Sequence, residues 1–251
     1  MGVRRGRPPA HPSMTNSLRS LILLASLSIG AACANSDAKT VKSANATVAS
    51  TGGSANGSIA PASSGVPHDS ISDKADRGRI TGNTQSKVWV IMLSDFQCPY
   101  CKQWHDTFFG GVLKDYVLTN KVQMAFINFP LSIHPNAVPA AEAAMCASVQ
   151  GRFWPMHDAL FANQDAWAAL PDPSTKLAEI AAAIPGMDAA KFRSCVTQHQ
   201  TLPLVMADRD RARATGAQST PSFFIVPTNQ LVSGSDKDLH AEIEAALKAA
   251  K

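Results

Sequence analysis

Hydrophobic residues are distributed along this 251-residue chain in three textures. Residues 21–34 (LILLASLSIGAACA) form an almost unbroken apolar stretch. Residues 35–87 contain no Phe, Tyr or Trp and are dense in Ser, Ala, Gly, Asn and Thr. Such a segment has too little apolar surface to offset its ordering entropy, which predicts that it adds nothing to a packed core. From about residue 85 the apolar positions fall into short runs and helical spacings. Residues 88–93 (VWVIML) are a β-branched and aromatic run that predicts a buried strand over 88–96. Past Pro99, Trp104, Phe108, Val112 and Leu113 recur at helical spacing, predicting a helix over 99–116. A second strand is expected at 122–129 (VQMAFINF), closed by Pro130. Residues 136–199 read as mostly helical, Ala-rich and punctuated by Pro139, Pro155, Pro171, Pro173 and Pro185. A helix over 202–215 ends at Gly216, strands at 222–226 and 231–233 flank Pro227-Thr228-Asn229, and an amphipathic helix covers 238–250. Ile80-Thr81-Gly82 reads as a short edge strand and turn. The resulting order is β-α-β, a helical block, then α-β-β-α, which is an α/β domain.

These textures divide the chain into 1–34, 35–76 and 77–251, with the helical block at about 136–199 inserted in the last part. Arg19 closely precedes the first apolar stretch, with Arg4, Arg5 and Arg7 upstream. The stretch has the length of a secretory signal and is short for a membrane span. Met14 as an alternative start would leave a conventional short basic region. Two processing readings stand side by side. Ala32-Cys33-Ala34 fits a small-x-small site cleaved before Asn35. Gly30-Ala31-Ala32-Cys33 resembles a lipoprotein box in which Cys33 becomes a lipid anchor, with Gly30 in place of the usual Leu. The polar stretch behind Cys33 then reads as a flexible tether. All four basic residues before position 35 belong to the leader, and without them Lys and Arg equal the 19 Asp and Glu. The net +4 of the whole chain is therefore no sign of a nucleic-acid partner. No later apolar run approaches transmembrane length.

The chemistry concentrates at Cys98-Pro99-Tyr100-Cys101, where the first strand feeds the first helix. In that context C-x-x-C reads as a redox motif. Pro99 suits the first helical position, whose missing N–H would be unpaired in any case. The unpaired N–H groups and the dipole at a helix N-terminus favour an anion and lower the pKa of the Cys98 thiol. The thiolate is the attacking species in thiol–disulfide exchange, and Cys101, one turn further in, is placed to resolve a mixed disulfide. A structural zinc site would need a second closely spaced ligand pair, and Cys146 and Cys195 belong to none. Haem attachment would need His where Lys102 stands. With Cys33 assigned to the leader, four cysteines remain, an even number suited to an exported protein.

Several segments match one family in order. Ser94-Asp95-Phe96-Gln97 leading into the C-x-x-C, Asn128-Phe129-Pro130-Leu131 with His134-Pro135-Asn136, the run from Gln150 to Asp158 with Leu160-Phe161, and Ser219-Thr220-Pro221-Ser222-Phe223-Phe224 resemble the DsbA-like thiol–disulfide oxidoreductases of bacterial envelopes. The resemblance runs from about Arg77 to the C-terminus. It implies a thioredoxin fold with an inserted helical subdomain and catalysis by Cys98 and Cys101. It also implies a cis-proline at Pro221, which turns the Thr220 backbone toward an incoming extended chain. Pro99 and Tyr100 would tune the redox poise. Tyr100 stands where strongly oxidising relatives carry His and brings no full positive charge, so the Cys98 pKa is expected below a free thiol but less extreme than in the strongest oxidants. Asp95 would assist proton transfer to Cys101 if buried, and otherwise reads as a solvated strand-end carboxylate. Met92 leaves no carboxylate where thioredoxin keeps a buried acid. His105 reads as packing or surface, His134 and His157 show no ligand geometry, and Trp104, Phe108, Phe223 and Phe224 read as core. Cys146 and Cys195 are either separate buried thiols or a structural disulfide. Export and the second bond of some relatives argue for the disulfide. The function expected is disulfide donation to cysteine-containing exported proteins in the periplasm or cell envelope. A monomer reoxidised by a quinone-linked membrane partner would do this without metal or organic cofactor. The alternatives are a reductase or isomerase kept reduced by a membrane partner, and a copper-binding module using both thiols.

Overall fold

The computed structural model describes residues 70–234 and 236–251. The leader, Cys33 and most of the expected linker lie outside the described residues. The first helix, α1 (Ile71–Gly78), covers residues that composition assigns to the linker, so the folded domain starts earlier than residue 77. Local chemistry explains the start: the Ser70 side chain caps the helix by accepting from the Asp73 N–H. Ala75 supplies its buried contact, and a small residue is easily passed over in a search for apolar runs. Close packing holds the other end, since a Cβ at Gly78 would lie 2.7 Å from the Ser148 carbonyl oxygen.

A five-stranded sheet forms the centre, in the order β1-β3-β2-β4-β5. The strands are β1 (Ile80–Gly82), β2 (Trp89–Ser94), β3 (Gln123–Asn128), β4 (Ser222–Val226) and β5 (Gln230–Ser233). Only β2 and β3 pair in parallel, and a parallel pair needs a long crossover. That crossover is the helical segment α2. It starts at Pro99–Trp104, widens into a π turn at His105–Phe109, passes Gly110–Val112 and widens again at Leu113–Val117. Side chains alternate across β2, as they must in a strand. Val90 and Met92 join the main core with Phe126, Phe223 and Trp104, whereas Leu93 packs on the opposite face with Phe129 and Ala212.

Between β3 and α8 (Leu202–Ala214) the chain makes five helices: α3 (Ala137–Val149), α4 (Phe153–Ala162), α5 (Gln164–Trp167), α6 (Ser174–Ala182) and α7 (Ala189–Thr197). Cys146 of α3 and Cys195 of α7 are joined by a disulfide. α3 is buried along most of its length, which suits its alanines. The last helix, α9 (Asp236–Ala249), follows β5. A buried ionic network ties the start of the domain to its end. The guanidinium of Arg79, itself 2% exposed, donates to both carboxylate oxygens of the fully buried Asp208 and to Asp76. Asn128 Nδ2 donates to Asp208 at 2.8 Å. Burial pushes the Arg79 pKa down, and the two carboxylates more than offset that and leave it raised.

Candidate active site

Sheet register brings the two ends of the motif together. Leu93 of β2 pairs with Ser222 of β4, so the loop leaving β2 and the loop entering β4 emerge side by side. The first carries Cys98 and the second Thr220-Pro221. The Thr220–Pro221 peptide is cis, and so is Val226–Pro227, which the sequence reads only as a turn. Cys98 is the N-cap of α2 and Pro99 its first residue. Both active-site cysteines are free thiols and each is 2% exposed. The Cys98 thiol donates to the Thr220 carbonyl at 3.6 Å.

The two thiols are driven apart in acidity. A hydrogen bond from the Cys101 thiol favours the Cys98 thiolate and outweighs the cost of burial, lowering the Cys98 pKa to about 6. The Thr220 side chain and the backbone N–H groups of Cys101 and Tyr100 act in the same direction. The Thr220 hydroxyl is buried with no other hydrogen-bond partner, which leaves it available to an ionised sulfur. Burial raises the Cys101 pKa well above that of a free thiol, and the neighbouring Cys98 sulfur adds to the rise. The Ser94 side chain and the Asp95 N–H only partly oppose it.

The loop before Cys98 is held by residues from the helical insertion. Gln164 Nε2 donates to the carbonyls of Phe96 (2.7 Å) and Cys98 (3.1 Å). Gln97 donates to the Ala168 carbonyl and accepts from the Asn136 N–H. The sequence gives no local signal for Gln164, because its partners lie 66 and 68 positions away. Asp95 departs from the solvated reading: it is 1% exposed. Its oxygens accept from the N–H groups of Gln97 (2.8 Å) and Leu131 (2.9 Å) and face His134 Nδ1 at 2.7 Å. The carboxylate therefore braces the loop, and only the Asp95 backbone reaches toward a cysteine. The Pro130 chain exit folds His134 back over the strand end, a placement that no local pattern predicts.

A groove of about 400 Å³ runs beside the dithiol, lined by Tyr100, Trp104, Phe108, Thr220, Pro221 and Gly234 among others. Trp104 and Phe108 thus belong to the groove wall as well as to the core. Trp104 is buried with its ring tilted against Phe223 at a centroid distance of 4.6 Å, whereas Phe108 is half-buried. Phe223 is buried and Phe224 half-buried. His105 is neither bare surface nor simple packing: it faces Asp106 and Asp158, and His157 meets the same Asp158 carboxylate. The sequence shows no ligand geometry for His157, because α2 and α4 come together only in the folded chain.

A dithiol at a helix N-terminus, set against a cis-proline on a mixed sheet, defines a thioredoxin-fold redox protein, and the comparisons with known proteins agree. The thioredoxin family model matches residues 74–245. The chain is 26% identical over 174 residues to a probable disulfide bond formation protein D of Bacillus cereus, covering 64% of this chain and 79% of that one. It is also 33% identical over 165 residues to a protein named Na(+)/H(+) antiporter NhaA 3 in Salinispora tropica. That match covers 65% of this chain but spans only 24% of the relative's length. Among solved structures, oxidised BdbD of Bacillus subtilis superposes with a TM-score of 0.61 at 21% identity, covering 68% and 94% of the two chains. Wolbachia pipientis alpha-DsbA1 gives 0.60 at 22% identity, covering 68% and 92%. The chain belongs to the thioredoxin family, and its described domain has the DsbA-like fold.

Proposed function

We propose that the chain is an exported disulfide donor that passes the Cys98–Cys101 disulfide to cysteine-containing proteins of the cell envelope. The observation that carries this reading is the acidity of Cys98, with a pKa lowered to about 6 beside a Cys101 raised well above the free value. In the oxidised form a substrate thiolate attacks Cys98 Sγ, and the Cys98–Cys101 bond breaks. Cys101 leaves as a thiolate and takes up a proton, which its raised pKa favours. A second substrate thiolate then attacks the substrate sulfur of the mixed disulfide. Cys98 departs as a thiolate, and a leaving thiol of low pKa departs faster. The substrate loses two electrons and the protein gains them. A quinone-linked membrane oxidase is the class of partner that would take them up again. Thr220 and Pro221 form one side of the groove over which an extended substrate chain would lie.

Export is supported by the leader-like start of the sequence, and the described residues contain no helix long and apolar enough to cross a membrane. Mass spectrometry of the mature N-terminus distinguishes a lipidated Cys33 from a chain beginning at Asn35. The direction of electron flow is tested by equilibrating Cys98–Cys101 with glutathione buffers. Thioredoxin has a thiol pKa of about 7 and a potential of about −270 mV, and DsbA about 3.5 and −120 mV. A Cys98 pKa of about 6 lies between them, so the expected potential is also intermediate, above that of thioredoxin. A value at or below thioredoxin's would make the protein a reductase and overturn donation.

A further inference from the structure

One turn beyond Cys101, the active-site helix carries a polar cluster that thiol exchange does not use. His105 opens the π turn His105–Phe109, a local widening of the kind that often marks a functional position. Its Nδ1 lies 3.0 Å from Asp106 Oδ1 and its Nε2 lies 3.1 Å from Asp158 Oδ1. The same Asp158 oxygen lies 2.8 Å from His157 Nδ1. Two imidazole nitrogens and a carboxylate oxygen, contributed by α2 and α4, therefore converge within 4.8 Å of one another.

We propose that His105 Nε2, His157 Nδ1 and the Asp158 carboxylate form a binding site for a divalent first-row transition ion of the zinc class. Two imidazoles and a carboxylate are a donor set that such ions accept, with a water in the fourth position. Tetrahedral bonds of roughly 2.0–2.1 Å place ligand atoms about 3.4 Å apart, so the 2.8 and 3.1 Å separations need to open slightly and the imidazole nitrogens, within 4.8 Å of one another, to draw together. Asp158 can supply that movement and the route of entry, because its side chain is 57% exposed.

The surroundings of His105 suit ligation. Asp106 holds the far nitrogen of His105, and its other oxygen accepts from Lys102 Nζ at 2.7 Å. A carboxylate on the non-ligating nitrogen is the usual partner of a metal-bound histidine, where it fixes the tautomer and raises basicity. His157 turns Nδ1 to Asp158, and its Nε2 is buried with no hydrogen-bond partner. Phe96, Phe126 and Phe161 stand edge-to-face with the imidazole at centroid distances of 5.8, 5.4 and 5.1 Å. His157 Nδ1 and the Asp158 oxygen 2.8 Å away share a proton, and a cation bound between them would take that proton's place. The bound ion would clip the active-site helix to the helical insertion one turn from Cys101.

The test uses the full chain with Cys98–Cys101 oxidised, so that neither thiolate competes for metal. Co²⁺ is titrated by visible absorption, and Zn²⁺ by equilibrium dialysis. The expected result is one ion per chain with a tetrahedral Co²⁺ spectrum, and affinity at least ten-fold weaker in each of His105→Gln and Asp158→Asn. Both positions are on or near the surface, unlike His157, and circular dichroism verifies that each variant is folded. Failure of the native chain to bind a stoichiometric ion, or binding that survives either substitution, overturns the proposal.

Discussion

The sulfurs of Cys98 and Cys101 lie one helical turn apart yet ionise in opposite senses, because only Cys98 collects hydrogen-bond donors strong enough to outweigh burial. Alkylation of the reduced protein should therefore rise with a midpoint near pH 6, against about 8.5 for a free cysteine. The same shift carries a stability consequence with a definite sign. A folded pKa below the unfolded one stabilises the reduced fold at high pH, and the stabilisation is lost as pH falls through about 6. Between pH 5 and 7.5 the reduced form should gain about 2 kcal/mol relative to a Cys98→Ala variant, read from urea denaturation at each pH. Asp95 shows the opposite use of a buried acid: its oxygens are committed to Gln97, Leu131 and His134. Asp95→Ala leaves those donors unpaired in the interior. It should cost about 2–4 kcal/mol in urea unfolding, since bonds to charged groups contribute more than neutral ones.

At the scale of elements, the sheet presents the chemistry and the helices hold it in place. β2 delivers Cys98, β4 delivers Thr220-Pro221, and α5 fastens the loop between them through Gln164. α1 and β1 are tied to β3 and α8 by Arg79, Asn128 and Asp208. Removing Asp208 leaves the buried Arg79 with only the half-exposed carboxylate of Asp76, so Asp208→Ala should destabilise by up to about 3–5 kcal/mol. Replacing the pair with apolar residues, as in R79M/D208L, should cost less than D208A alone, which a thermal or urea denaturation series would reveal. If the double variant is the less stable, the network does more than neutralise charge.

For the whole molecule, the disulfide between Cys146 and Cys195 closes a loop across the helical insertion, its ends 49 positions apart in the sequence. Loop-closure entropy puts its contribution on the order of 4 kcal/mol. The C146A/C195A variant should lose about that much in guanidinium unfolding while keeping its Cys98–Cys101 chemistry. From β1 onward the order of the elements was legible along the chain, and so was the C-x-x-C at a strand–helix junction, whereas α1 lay hidden in a polar stretch. Hydrophobic period, the proline at the first helical turn and the spacing of two cysteines are all local properties, set within a few residues of one another. What the folded chain alone decided has a common physical reason: it depends on which distant groups are buried together. Asp95 is solvated or buried according to whether His134 and Leu131 fold over it. Gln164 matters only because α5 lies against the loop at Phe96. Arg79 and Asp208, 129 positions apart, become one charge pair when both lose their water. His105, His157 and Asp158 likewise meet only where α2 packs on α4. The amino-acid sequence by itself therefore determined the elements and the reactive motif, and tertiary packing decided the acidity of the thiols and the company each buried polar group keeps.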